Sequence, residues 1–67
     1  MGFSHKIYRD AQLYLSERGE PMLLEAMKLA DMFARKGQVE KSLYWYEITE
    51  ALQFIMMPKE LAGETIH

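Results

Sequence analysis

The chain has no cysteine, so neither a disulfide nor a thiolate metal site can hold it together. Its two histidines, His5 and His67, stand near opposite ends. Basic residues do not dominate either: eight lysines and arginines face ten aspartates and glutamates, a formal net charge of −2. That balance gives no electrostatic pull toward phosphate backbones or anionic lipid. No apolar run approaches the roughly 20 residues of a membrane span. The opening MGFSHKIYRD lacks the apolar stretch and small-residue cleavage site of a secretion signal. These absences lead us to expect a soluble, cytoplasmic protein without a membrane partner, a nucleic-acid partner, a metal or a cofactor.

What the sequence does have is apolar surface. Hydrophobic residues make up 49% of 67 positions, which is high for one small domain spanning residues 1–67. A domain of this size buries only about 60% of the surface its unfolded chain exposes. With disulfides and metal excluded, association or unusually good helix packing must supply the remaining stability.

Punctuation divides the chain into three segments of helical periodicity: Gly19 with Pro21, then Gly37, then Pro58. The expected helices cover about 4–18, 21–36 and 39–57. Ser4 can cap the first and Gly19 can close it in a left-handed conformation. Pro21 suits a first helical position, and Arg35 and Lys36 suit the negative end of the second helix dipole. Pro58 prevents continuation of the third, and residues 58–67 are expected to fray. No β pattern, second repeat or low-complexity run is present.

At 100° per residue the second helix gathers Met22, Leu23, Ala26, Met27, Leu29, Ala30, Phe33 and Ala34 into one arc. The first does the same with Ile7, Tyr8, Ala11, Tyr14 and Leu15. The third is apolar on two sides. Val39, Leu43, Tyr46, Phe54 and Met57 form one stripe, and Tyr44, Trp45, Ile48, Ala51, Leu52 and Ile55 form another, roughly opposite. Such a helix needs neighbours on both sides. One stripe should close the hairpin with the second helix and the other should meet a second copy or a foreign protein. Trp45, Ile48, Leu52 and Ile55 have the 3-4-3 spacing of a helix–helix seam, so Tyr44, Trp45, Ile48, Leu52 and Ile55 are the expected interface. The alternative is that the first helix covers this stripe and its aromatics are core.

Residues for catalysis are sparse. Glu64 and His67 have the i, i+3 spacing of a carboxylate–histidine metal pair, but such sites need further inward-facing ligands from other helices. Glu40, Glu47 and Glu50 along the third helix read as a solvated acidic face, with Glu50 falling inside the Val39/Leu43/Tyr46 stripe. Ser16 and Ser42 have no histidine and acid companions to activate them. We therefore expect no enzyme and assign no catalytic, cofactor-binding or metal-binding residue.

The stretch FARKGQVEKSLYWY sets a glycine between two helices, with Leu43 and Tyr46 six and nine residues beyond it, much as in a DNA-reading helix-turn-helix. Bulky Phe33 stands where that motif wants a small residue, and VEKSLYWYEITE carries three glutamates against one lysine. Leu29, Ala30, Phe33, Gly37, Ser42 and Tyr46 also resemble one tetratricopeptide or Sel1-like helical hairpin, which implies packing geometry alone, since a single repeat cannot bury its faces. A longer resemblance, over residues 8 to 55, is carried by Arg18, Gly19, Ala26, Ala30, Asp31, Gly37, Trp45, Ile48 and Ala51. This pattern resembles a group of small, uncharacterised bacterial α-helical proteins known as hypothetical proteins. It departs at Gln38, where that group carries an aspartate able to cap the third helix. The resemblance implies a fold and no activity.

The expectation is an all-α, three-helix domain with a long antiparallel hairpin, assembling into a dimeric helical bundle. Its expected role is that of a non-catalytic interaction or regulatory module. The alternative is a small helix-turn-helix-like DNA-binding regulator.

Overall fold

Ser4 is extended (φ −71°, ψ 161°), and its hydroxyl accepts the Ile7 amide at 3.1 Å. This satisfies one of the unpaired donors of a first turn and starts α1 (His5–Arg18). Gly19, at φ 78°, closes α1 by donating its amide to the Leu15 carbonyl at 2.7 Å. Two residues later Pro21 opens α2 (Pro21–Arg35), where its missing N–H costs nothing. At the far end of α2 the Gln38 amide reaches the Phe33 carbonyl (2.9 Å) and the Gly37 amide the Ala34 carbonyl (3.1 Å). That bond pair requires a left-handed residue, which Gly37 supplies at φ 79°. Gln38 gives α3 (Val39–Met56) no side-chain cap, so the turn is held from the α2 side.

This computed structural model describes residues 4–57. The expected fraying of 58–67 and the Glu64/His67 pair lie outside the described residues. Within them the chain is all-α, three helices with no strand. The three-residue turn folds α2 and α3 back on each other as an antiparallel hairpin. α3 is the common wall: α1 and α2 both pack on it and touch each other little.

The core follows from small residues on α2. Ala26 lets α3 approach closely, and together with Met22 and with Ile7 and Ala11 of α1 it forms the core around Ile48 and Leu52, both fully buried. Enclosing a side chain of that size stabilises by about 1.5–3 kcal/mol. The Ser42 hydroxyl donates to the Ala30 carbonyl at 2.8 Å and ties the two helices near their turn. Buried Thr49 donates to the Trp45 carbonyl one turn back (2.9 Å). No buried side-chain polar atom is left unpartnered among the described residues. The apolar arc of α2 is narrower than its periodicity suggests. Met22, Ala26 and Ala30 are buried and Leu23, Leu29 and Phe33 half-buried, but Met27 and Ala34 face outward.

Candidate interaction surface

α3 has two apolar sides, and the fold treats them differently. The side carrying Tyr44, Trp45, Ile48, Leu52 and Ile55 faces into the molecule. Ile48 and Leu52 are fully enclosed, while Tyr44, Trp45 and Ile55 are half-buried against the core. The expectation that these five form an outward interface is corrected for Ile48 and Leu52, which have no surface left to offer a partner. The physical reason is the reach of α1. Ile7 and Ala11 of α1 join Met22 and Ala26 of α2 in the core around Ile48 and Leu52, and Tyr14 packs against it.

The aromatic side chains of α1 and α3 meet one another. Tyr14 lies over Trp45 with ring centroids 5.3 Å apart, and Tyr44 meets Trp45 edge-on at 5.2 Å. Tyr8 touches Phe54 edge-on at 6.4 Å. The polar tips are paired as well. The Tyr44 hydroxyl donates to Asp10 Oδ2 at 2.8 Å and sits 3.4 Å from the Tyr14 hydroxyl, while Lys6 Nζ lies 3.6 Å from the same Asp10 oxygen. A hydroxyl has one proton to give, so with the Tyr44 proton on Asp10, Tyr14 is the donor to Tyr44. Burial raises the Tyr44 pKa above its ordinary value, and the contacts with Tyr14 and Asp10 push it the same way. The network holds Tyr44 as a neutral phenol. Sequence reasoning missed it; the available signal was Asp10 lying within one turn of both Ile7 and Tyr14, a carboxylate beside the apolar arc of α1.

The other side of α3 is open. Val39 (72% exposed), Leu43 (54%) and Tyr46 (61%) lie along one line of the helix that continues through Glu50 to Met57 (51%), the residue just past its end. Phe54 borders this line and is exposed too, although its ring contacts Tyr8. Beside the line runs an open groove of about 570 Å³ between α2 and α3, walled by Met27, Asp31 and Ala34 on one bank and Tyr46, Glu50 and Gln53 on the other. The surface is thus a strip of large apolar side chains with carboxylates at Asp31 and Glu50. Among the described residues Asp31 pairs with Arg35 at 2.8 Å, and Glu50 has no ion-pair or hydrogen-bond partner.

The residues considered for other chemistry are dispersed. His5 is exposed at the start of α1, and Ser16 is exposed on its outer side. No group of three or more histidines, cysteines or acidic residues able to hold a metal exists among the described residues. No helix among them is long and apolar enough to cross a membrane. The helix that would read DNA in a helix-turn-helix carries Glu40, Glu47 and Glu50, and its Lys41 ammonium lies over the Phe33 ring at 5.6 Å. Comparison with protein-family models, with curated proteins and with solved structures finds no match.

Proposed function

We propose that the protein is a non-catalytic helical interaction module that works by self-association through the open side of α3. One observation carries this reading: Val39, Leu43, Tyr46 and Met57 stand exposed along a single helical line after both neighbours of α3 have already been used on its other side. Large apolar side chains scattered over a surface need no explanation, but several aligned on one helix face beside a groove suit a contact surface. Tyrosine and methionine suit that role. A tyrosine combines a large apolar ring with a polar tip, and methionine adapts to an irregular partner. The acidic residues on and beside the strip would repel phosphate, so nothing favours the DNA-binding alternative.

Light scattering across a concentration series tests the reading, with gel retardation on random duplex DNA at low salt beside it. The expected result is a concentration-dependent rise to twice the 7.9 kDa chain mass and no retarded band. A single-chain mass throughout, together with salt-sensitive DNA binding, would replace this reading with the regulator.

A further inference from the structure

Beside the apolar line of α3, the groove between α2 and α3 has a polarity of its own. Six polar side chains line it, and four of them, Asp31, Ser42, Thr49 and Glu50, can only accept hydrogen bonds there. Ser42 and Thr49 spend their one hydroxyl proton on the backbone carbonyls of Ala30 and Trp45, so toward the groove both have only lone pairs to offer. Asp31 gives Oδ2 to Arg35 and keeps its other oxygen, while Glu50 has no ion-pair or hydrogen-bond partner. No lysine or arginine lines the groove among the described residues; Tyr46 and Gln53 are its donors. We propose that this groove binds a linear aliphatic polyamine, with ammonium groups at Asp31 and Glu50 and the methylene chain along Met27, Ala30 and Tyr46 between them. The site goes beyond the self-association reading and does not depend on it.

The Ser42–Ala30 hydrogen bond sets the register of the antiparallel hairpin. Asp31 lies one residue from Ala30 toward the turn and Glu50 eight residues beyond Ser42 away from it, so nine residue rises, about 13 Å of helix axis, separate them. A single metal ion cannot serve both carboxylates, and no group of three ligands able to hold one exists among the described residues. Between the two acids lie Met27 and Ala30 on one bank and Tyr46 on the other. The groove thus reads acid, apolar middle, acid, and a polyamine chain reads ammonium, methylenes, ammonium. The ammonium ends supply the charge-assisted donors that the carboxylates lack. The Tyr46 ring suits the methylenes and also a further ammonium passing over its face. An anion would meet acceptors throughout, and a neutral apolar chain would cover Glu50 without pairing it. The groove volume of about 570 Å³ is that of a small-molecule site.

Amide NMR shifts of the isotope-labelled protein at low salt, below the concentration at which it associates, test the site with spermidine as the probe. Hexaamminecobalt(III), a compact cation of the same charge without methylenes, is the control. Spermidine should give saturable shifts at Asp31, Tyr46 and Glu50 and bind at least about fivefold more tightly than the compact cation. Glu50→Gln should weaken spermidine about fivefold. Glu40→Gln removes the same charge from an exposed position of α3 outside the groove and should change binding by less than about twofold. Both variants replace exposed side chains and are first checked for unchanged helicity by circular dichroism. Equal losses in the two variants, or equal binding of the two cations, would reduce the effect to diffuse attraction and overturn the site. The absence of saturable shifts at millimolar spermidine would overturn it as well. A chain that dimerises without these shifts would defeat this inference alone, and a chain that stays single with them would defeat the self-association reading alone.

Discussion

The two sides of α3 are built from similar residues and serve different ends. On the enclosed side Tyr44, Trp45, Ile48 and Leu52 meet α1 and α2; on the open side Val39, Leu43, Tyr46 and Met57 meet water. Hydrophobicity does not separate them, since each side carries tyrosine and branched aliphatics. What separates them is the supply of matching surface within the chain. α2 offers a small alanine that α3 can approach, and α1 offers Ile7, Ala11 and Tyr14. Among the described residues nothing of that kind covers the opposite side. The described helices cover one side of α3 and leave Val39, Leu43, Tyr46 and Met57 exposed on the other.

The largest expected effects break the enclosed side. Leu52→Ala removes a fully buried side chain from between α2 and α3 and should cost about 2–5 kcal/mol in denaturant unfolding. Leu43→Ala, measured at concentrations below association, should change stability by less than about 0.5 kcal/mol. Equal costs at the two positions would erase the distinction between the sides. Next in size is Ala26→Leu. Ala26 is fully buried where α2 meets α3, and forcing a larger side chain there should cost about 1–3 kcal/mol. A neutral result would show that the helices are not held close by small residues.

A smaller effect sharpens the contrast between the two seams on the enclosed side. The α2 seam is aliphatic and indifferent to pH, whereas the α1 seam depends on a protonated Tyr44. Tyr44→Phe should cost about 1 kcal/mol at neutral pH by removing the hydroxyl that bonds Asp10. The pH dependence has a definite sign. The folded state holds the Tyr44 pKa above the ordinary 10.0, so the stabilisation is complete below about pH 10 and is lost as pH rises through and above that value. Between about pH 9 and 11 the melting temperature of the wild type should fall more steeply than that of Tyr44→Phe; parallel slopes would contradict the coupling. Of similar size is Gly37→Ala. Its φ of 79° penalises any side chain, but an added Cβ would meet nothing within 4 Å, so the cost should be backbone strain alone, about 1 kcal/mol. A loss well beyond that would show that the turn carries contacts the structure does not contain.

Much of this architecture was legible in the sequence. Gly19, Pro21 and Gly37 mark the turns because each does something other residues do poorly, and the Ser4 cap stands one residue before α1 as its hydroxyl chemistry requires. The all-α fold follows from periodicity. Which stripe of α3 faces inward did not follow. Periodicity locates two stripes without ranking them, and the choice shows only in how α1 packs, where Asp10 and Tyr14 meet Tyr44. These are pairings between residues thirty or more positions apart. The aromatic bias of Tyr44 and Trp45 suggested contact with another chain; in the structure both are half-buried, and Tyr14 of α1 meets the Trp45 ring and the Tyr44 hydroxyl.

An aspartate placed on each side of α3 in turn, read by circular dichroism and sedimentation equilibrium, tests the central claim most directly. Leu43→Asp should remain helical, melt cooperatively and sediment at the single-chain 7.9 kDa while the wild type reaches twice that mass, and Leu52→Asp should lose its helicity. The account is contradicted if Leu43→Asp unfolds as Leu52→Asp does, or if the wild type sediments as one chain up to millimolar concentration.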